Sequence, residues 1–138
     1  MLQQNAKPLL DMPILLVEDN PVNVLVAKMY LQKWGAKVDV ATNGLEALER
    51  YNSSIHKVVL MDLQMPVMDG LEAAGIMRER GIDVPIIAFT ADAAPHIIKE
   101  TRIAGIDDVV SKPFDPEHLQ NKILYHLNLY ENTYSSRY

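Results

Sequence analysis

The chain has 138 residues, 49% of them hydrophobic, 22% charged and 7% aromatic, with a formal net charge of −5. That length suits one domain around a single core, and the acidic balance argues against a nucleic-acid module, which needs a basic face. The absence of cysteine excludes disulfides, thiolate catalysis and Cys-based zinc sites, while no apolar run nears the roughly 20 residues of a membrane span.

Residues 1–11 read as a leader or linker without the apolar stretch of a secretory signal. Met12–Val17 is short and apolar, the pattern of a strand buried on both faces. Asn20-Pro21 then opens a helix as cap and first-turn residue; Val22, Leu25, Val26 and Met29 follow helical spacing, and Gly35 ends it. Lys37–Ala41 alternates polar and apolar, which places it at a sheet edge. Asn43 with Glu46 forms a capping-box pattern ahead of Leu45 and Leu48. Lys57–Met61 reads as a second buried strand. Asp69 with Glu72 repeats the capping signal, and that helix stops at Gly81. Val84–Phe89 is a further buried strand, after which Pro95 admits a helix only from that point towards Gly105. Asp108–Val110 joins the strands read as buried on both faces. Asp115-Pro116 opens a last helix with Leu119, Ile123 and Leu127 on one face, and 129–138 reads as a polar tail. The domain is therefore expected over 12–128. A β-α unit repeated five times predicts an α/β fold: a doubly wound parallel sheet of five strands, with helices on both faces and right-handed crossovers.

In such sheets ligands bind beyond the carboxyl ends of the strands. There the first strand runs into Glu18-Asp19, the third into Asp62, the fourth into Thr90 and the fifth into Ser111-Lys112-Pro113. Singly, each has a bland explanation as a cap, a β-former or a solvated charge. Asp62 resists it, because an aspartate closing Val58-Val59-Leu60-Met61 is expected to be partly desolvated and to need a charged partner. Three nearby carboxylates repel one another unless a cation lies among them, and an all-oxygen set suits Mg²⁺. Asp62 is then placed to attack a phosphoryl group, with Lys112 and the metal neutralising its oxygens and the Thr90 hydroxyl donating to one. The added charge makes this a switch.

At these residues the chain resembles the receiver domains of two-component response regulators. The matching stretches are Ile14-Leu15-Leu16-Val17-Glu18-Asp19-Asn20, Met61-Asp62-Leu63-Gln64-Met65-Pro66-Val67-Met68-Asp69-Gly70, Ala88-Phe89-Thr90-Ala91 and Ser111-Lys112-Pro113-Phe114. The wording around Val17–Asn23 is similar to receivers of hybrid sensor histidine kinases. The resemblance implies a flavodoxin-like sheet of order 2-1-3-4-5 and phosphate transfer from a phosphohistidine to Asp62. It implies Mg²⁺ held by Asp19, Asp62 and the Gln64 backbone carbonyl, with Glu18 acting mainly through water. Thr90 and the Ala91 amide would hold phosphoryl oxygens, Lys112 would pair with the phosphoryl group, and Lys112-Pro113 would be cis. Gln64 and Asp92 would tune slow autodephosphorylation.

The implied partners are a histidine kinase or a histidine phosphotransfer domain, and a downstream protein reading the last strand and helices; the expected location is cytoplasmic. No free substrate is turned over; the domain would catalyse only its own phosphorylation and dephosphorylation. Val109 departs from the family, which often has Tyr or Phe three residues before the lysine; a stiff, small valine cannot swing inward as such a ring does. Two alternatives stand beside this reading. One is the receiver segment of a hybrid histidine kinase, acting as phosphate carrier or sink. The other is an aspartate-nucleophile phosphatase, disfavoured because Gln64 occupies the position of its second aspartate and cannot act as a general acid. The four histidines read as ordinary surface or helix-end residues.

Overall fold

A computed structural model describes residues 7–135, with side chains described through residue 130. Five strands alternate with five helices: β1 (Pro13–Val17), α1 (Pro21–Lys33), β2 (Lys37–Ala41), α2 (Gly44–Arg50), β3 (Val58–Asp62), α3 (Gly70–Glu79), β4 (Ile86–Thr90), α4 (Pro95–Ile103), β5 (Asp108–Ser111) and α5 (Pro116–Ser135). The strands form one sheet of order β2-β1-β3-β4-β5, parallel throughout. The expected fold class and strand order are both observed.

Strand alternation divides the core. Ile14, Leu16, Val58, Leu60, Ile87 and Phe89 face one side, where α1 and α5 cover them with Ala27, Leu31, Leu119, Ile123 and Leu127. Leu15, Val17, Val59, Met61, Ile86 and Ala88 face the other, against Ala47 of α2 and Ala73, Ala74 and Met77 of α3. The predicted caps form as hydrogen bonds: Asn20 Oδ1 accepts from the Val22 and Asn23 amides, Asn43 Oδ1 from Glu46 and Asp69 Oδ1 from Glu72.

Five features differ from the sequence pattern. Within α1, the helical stripe Val22, Leu25, Val26 and Met29 faces outward, while Ala27 and Leu31 are buried. The helix is apolar on both faces, so its periodicity marks a helix without marking the inner side. β5 is the second edge strand and only Val110 in it is buried; three apolar or acidic residues are too few for alternation to show. His56 is buried rather than superficial: its Nε2 lies 2.7 Å from Asp39 Oδ2 and its Nδ1 accepts from the Asn52 amide at 3.0 Å. Finally, Leu9 is 1% exposed within the α1/α5-side core, and its amide donates to Trp34 O at 2.9 Å. Burying a leucine contributes about 1.5–3 kcal/mol, so part of the segment read as a leader is packed. Likewise α5 runs to Ser135, into the segment read as a tail. Residues 1–6 of that leader and 136–138 of that tail lie outside the described residues.

Candidate functional site

Strand register builds the site. Val17 of β1 pairs with Met61 of β3, so Glu18 and Asp62 leave adjacent strands side by side at the point where the winding reverses. Glu18 is 3% and Asp62 5% exposed, whereas Asp19 is exposed. One carboxylate oxygen from each of the three lies within 4.8 Å of the others. On the far side, Thr90 of β4 pairs with Ser111 of β5, and the Lys112 amide donates to Thr90 O at 2.9 Å. That delivers the ammonium: Lys112 Nζ lies 2.7 Å from Glu18 Oε1 and 2.9 Å from Asp62 Oδ2. Lys112-Pro113 is cis, in agreement with the expectation.

Two close approaches hold the end of β3. A Cβ at Gly70 would lie 2.3 Å from Asp62 O, and one at Gly44 2.6 Å from Met68 O. Only glycine lets α3 and α2 pack this tightly around the loop that follows Asp62. The Gln64 amide donates to Asp62 Oδ1 at 3.2 Å, and the Asn20 amide donates to Glu18 Oε2 at 3.2 Å. This second contact, invisible in the sequence because Asn20 reads only as a cap, ties the helix entry to the buried carboxylate.

Charge environments follow. Burial pushes the Glu18 carboxyl above its usual range against the opposing hydrogen bonds from Lys112 and Asn20, and the nearby Asp62 charge adds to the rise. For Lys112, burial alone would lower its value, but hydrogen bonds to Glu18 and Asp62 and the charges of both outweigh it and hold the ammonium above its ordinary range. Three carboxylates against one ammonium leave a net excess of negative charge. Hard oxygen donors at this spacing fit a small divalent cation such as Mg²⁺.

The remaining expected residues lie in or just after β3, β4 and β5. Thr90 is 3% exposed, and its hydroxyl is engaged within its own loop: Oγ1 donates to Asp92 O at 2.9 Å and accepts from the Asp92 amide at 3.0 Å. Asp92 Oδ1 accepts from the Ala94 amide at 3.0 Å. Ala91 and Gln64 are exposed beside the cleft. Val109 is half-buried opposite Ala88 and packs into the core on the α2/α3 side.

Residues 14–124 match the family model of the response regulator receiver domain. The chain is a receiver domain. Its relatives include the peroxide stress-activated histidine kinase mak1 of Schizosaccharomyces pombe, 38% identical over 114 residues, which cover 77% of this chain and 7% of the kinase. The receiver domain of the sensor histidine kinase PA1611 of Pseudomonas aeruginosa, solved with magnesium coordinated in its active-site cleft, superposes with a TM-score of 0.76 at 36% identity. That match covers 86% of this chain and 98% of the other. The receiver of the Saccharomyces cerevisiae regulator Ssk1, solved in complex with the histidine phosphotransfer protein Ypd1, gives a TM-score of 0.78 at 28% identity and covers 84% and 88%. Three of the curated kinases it matches are far longer, and the receiver spans only 7–16% of their length. As a receiver domain, the chain is a module of two-component phosphorelay signalling, and no helix among its described residues is long and apolar enough to cross a membrane.

Proposed function

We propose that Asp62 is the phosphoacceptor and that the site takes a phosphoryl group from a phosphohistidine. The observation that carries this is the Lys112 ammonium bridging two buried carboxylates, 2.7 and 2.9 Å away, with a third acidic group beside them. In transfer, an Asp62 carboxylate oxygen bonds to phosphorus while the P–N bond breaks and its electron pair returns to the imidazole. Lys112 follows the charge onto the phosphoryl oxygens, and the Ala91 amide and Thr90 hydroxyl donate to others once the Thr90 turn has opened. Asp19, Asp62 and the Gln64 backbone carbonyl would hold Mg²⁺ directly, with Glu18 acting mainly through water. When bound, the ion supplies further neutralisation of phosphoryl charge. In hydrolysis, a water oxygen attacks the same phosphorus, the bond to the carboxylate breaks, and inorganic phosphate leaves; exposed Gln64 and Asp92 flank the approach and tune its rate.

The donor is a histidine kinase or a histidine phosphotransfer domain, as in the Ypd1–Ssk1 complex. A donor histidine must reach the cleft; Val26 borders the cavity that also reaches Glu18 and Lys112, and with Val22, Leu25 and Met29 it forms an outward apolar stripe on α1 that would receive such a partner. A downstream protein would read β5 and the flanking helices, and the domain would act in the cytoplasm. A second reading, a carrier or sink segment within a hybrid kinase, draws support from the small share of the long kinases that the chain spans. The test is labelling with acetyl phosphate in Mg²⁺. Asp62→Asn is expected to abolish it, and labelling that survives the substitution refutes the assignment.

A further inference from the structure

The loop that carries Lys112 has few anchors. Ser111, Pro113 and Asp115 are exposed, and the Lys112 amide bond to Thr90 fixes one end. Phe114 is different. Its half-buried ring lies 5.7 Å from that of Phe89, tilted at 47°, and 5.8 Å from that of Tyr30, edge-on at 77°. Phe89 immediately precedes Thr90 in β4, while Tyr30 belongs to α1 and sits 5.9 Å from Trp34. A cavity of about 500 Å³ opens along the same ring, bordered by Val26, Ala27, Tyr30 and Lys112. The ring is therefore held by two aromatic neighbours and is open to this cavity. Each such aromatic pair biases a conformation by about 2- to 12-fold beyond simple burial.

We propose that Phe114 is a positioning residue. Its contacts with Phe89 and Tyr30 hold the β5–α5 loop so that Lys112 Nζ sits between Glu18 and Asp62. This rests on the reading of Asp62 as phosphoacceptor with Lys112 in its site. A ring that served the core alone would add stability without regard to Lys112, whereas a positioning ring acts only while Lys112 is present.

The experiment measures the rate of Asp62 labelling by acetyl phosphate in Mg²⁺ for wild type, Phe114→Ala, Lys112→Ala and the double variant. Circular dichroism and urea melts keep each protein in its folded range. Phe114→Ala is expected to slow labelling on the order of tenfold, within the hundredfold that a misplacement of about 1 Å produces, and Phe114→Tyr to restore it. In the Lys112→Ala background the same change is expected to alter the rate by less than about twofold, because coupled residues are non-additive. Additive effects in this cycle, or a wild-type rate in folded Phe114→Ala, overturn the proposal. Where Phe114→Ala does not fold, Phe114→Leu takes its place in the cycle and is read in the same way. Loss of labelling in the wild type, or its survival in Asp62→Asn, overturns the acceptor reading instead; a labelled wild type with an additive cycle overturns only the role of Phe114.

Discussion

Asp19 is the exposed member of the carboxylate trio, and its removal separates folding from metal binding. With Lys112 cancelling one of the two buried carboxylates, Asp19 faces about one net negative charge within 4.8 Å. Coulomb's law puts that repulsion at about 0.9 kcal/mol in water-like surroundings and about 3.5 kcal/mol at an effective dielectric of 20. Exposure of Asp19 places it near the lower bound, so Asp19→Asn should stabilise the metal-free protein by about 1 kcal/mol, or raise its Tm by about 3 °C. Mg²⁺ at ten times its Kd should stabilise the wild type by about 1.4 kcal/mol, and Asp19→Asn should lose most of that gain. Urea melts with and without Mg²⁺ measure both quantities on both proteins. A variant less stable than wild type without metal, or one that gains as much from Mg²⁺, would show that the carboxylates do not form a strained, cation-seeking cluster.

Two further expectations concern the start of β5 and the turn that follows β4. The Asp108 carboxyl is held below its usual value: burial opposes this, but hydrogen bonds from Lys122, His126 and the Val109 amide outweigh it. Its stabilisation is thus complete above the unfolded value near 3.8 and drains as pH falls towards the lower folded value. Asp108→Asn should cost about 1–2 kcal/mol in urea melts at pH 7, with the gap closing near pH 3, and a gap independent of pH would refute the assignment. Asp92→Ala removes the carboxylate that accepts from the Ala94 amide and so loosens the turn that occupies the Thr90 hydroxyl. Beryllofluoride, a phosphoryl analogue, should then bind about 2- to 5-fold tighter with Mg²⁺; unchanged or weaker binding would show that this turn does not restrain Thr90.

Much of this molecule is legible in its residues, and the exceptions have physical reasons. Strands such as Val58–Asp62 are buried on both faces and read as unbroken apolar runs. Asn43, Asp69 and Asn20 announce their helices through local capping chemistry. The acidic cluster is legible because topology alone brings the ends of β1 and β3 together. What stays hidden depends on distant pairing or local state. His56 meets Asp39 across 17 residues, and no periodicity predicts that pair. Phe114 gains its partners from α1 and β4, far away in the chain. The α1 stripe misleads about direction because a helix with two apolar faces has no distinctive inner one. Thr90 is found at its expected strand end, yet where its hydroxyl points depends on a turn with Asp92 that sequence spacing does not encode.

These geometries also constrain how phosphorylation of Asp62 would be felt elsewhere. Lys112 compensates Glu18 and Asp62 together in the unphosphorylated site. A phosphoryl group carries a charge near −2, so drawing Lys112 onto it leaves Glu18, buried at 3% exposure, short of its counter-charge. Uncompensated burial of a carboxylate is costly, and the strain falls on the groups that touch this trio. Val109 has too little area and too stiff a χ1 to translate it into an aromatic rearrangement on β5. The Lys112 loop, whose Phe114 ring lies against Phe89 and Tyr30, is the element that carries the displaced ammonium, while the Thr90 hydroxyl is held in its turn with Asp92. A charge step at Asp62 would thus reach the α1 side of the sheet through Phe114, Phe89 and Tyr30, whereas Val109 packs on the α2/α3 side.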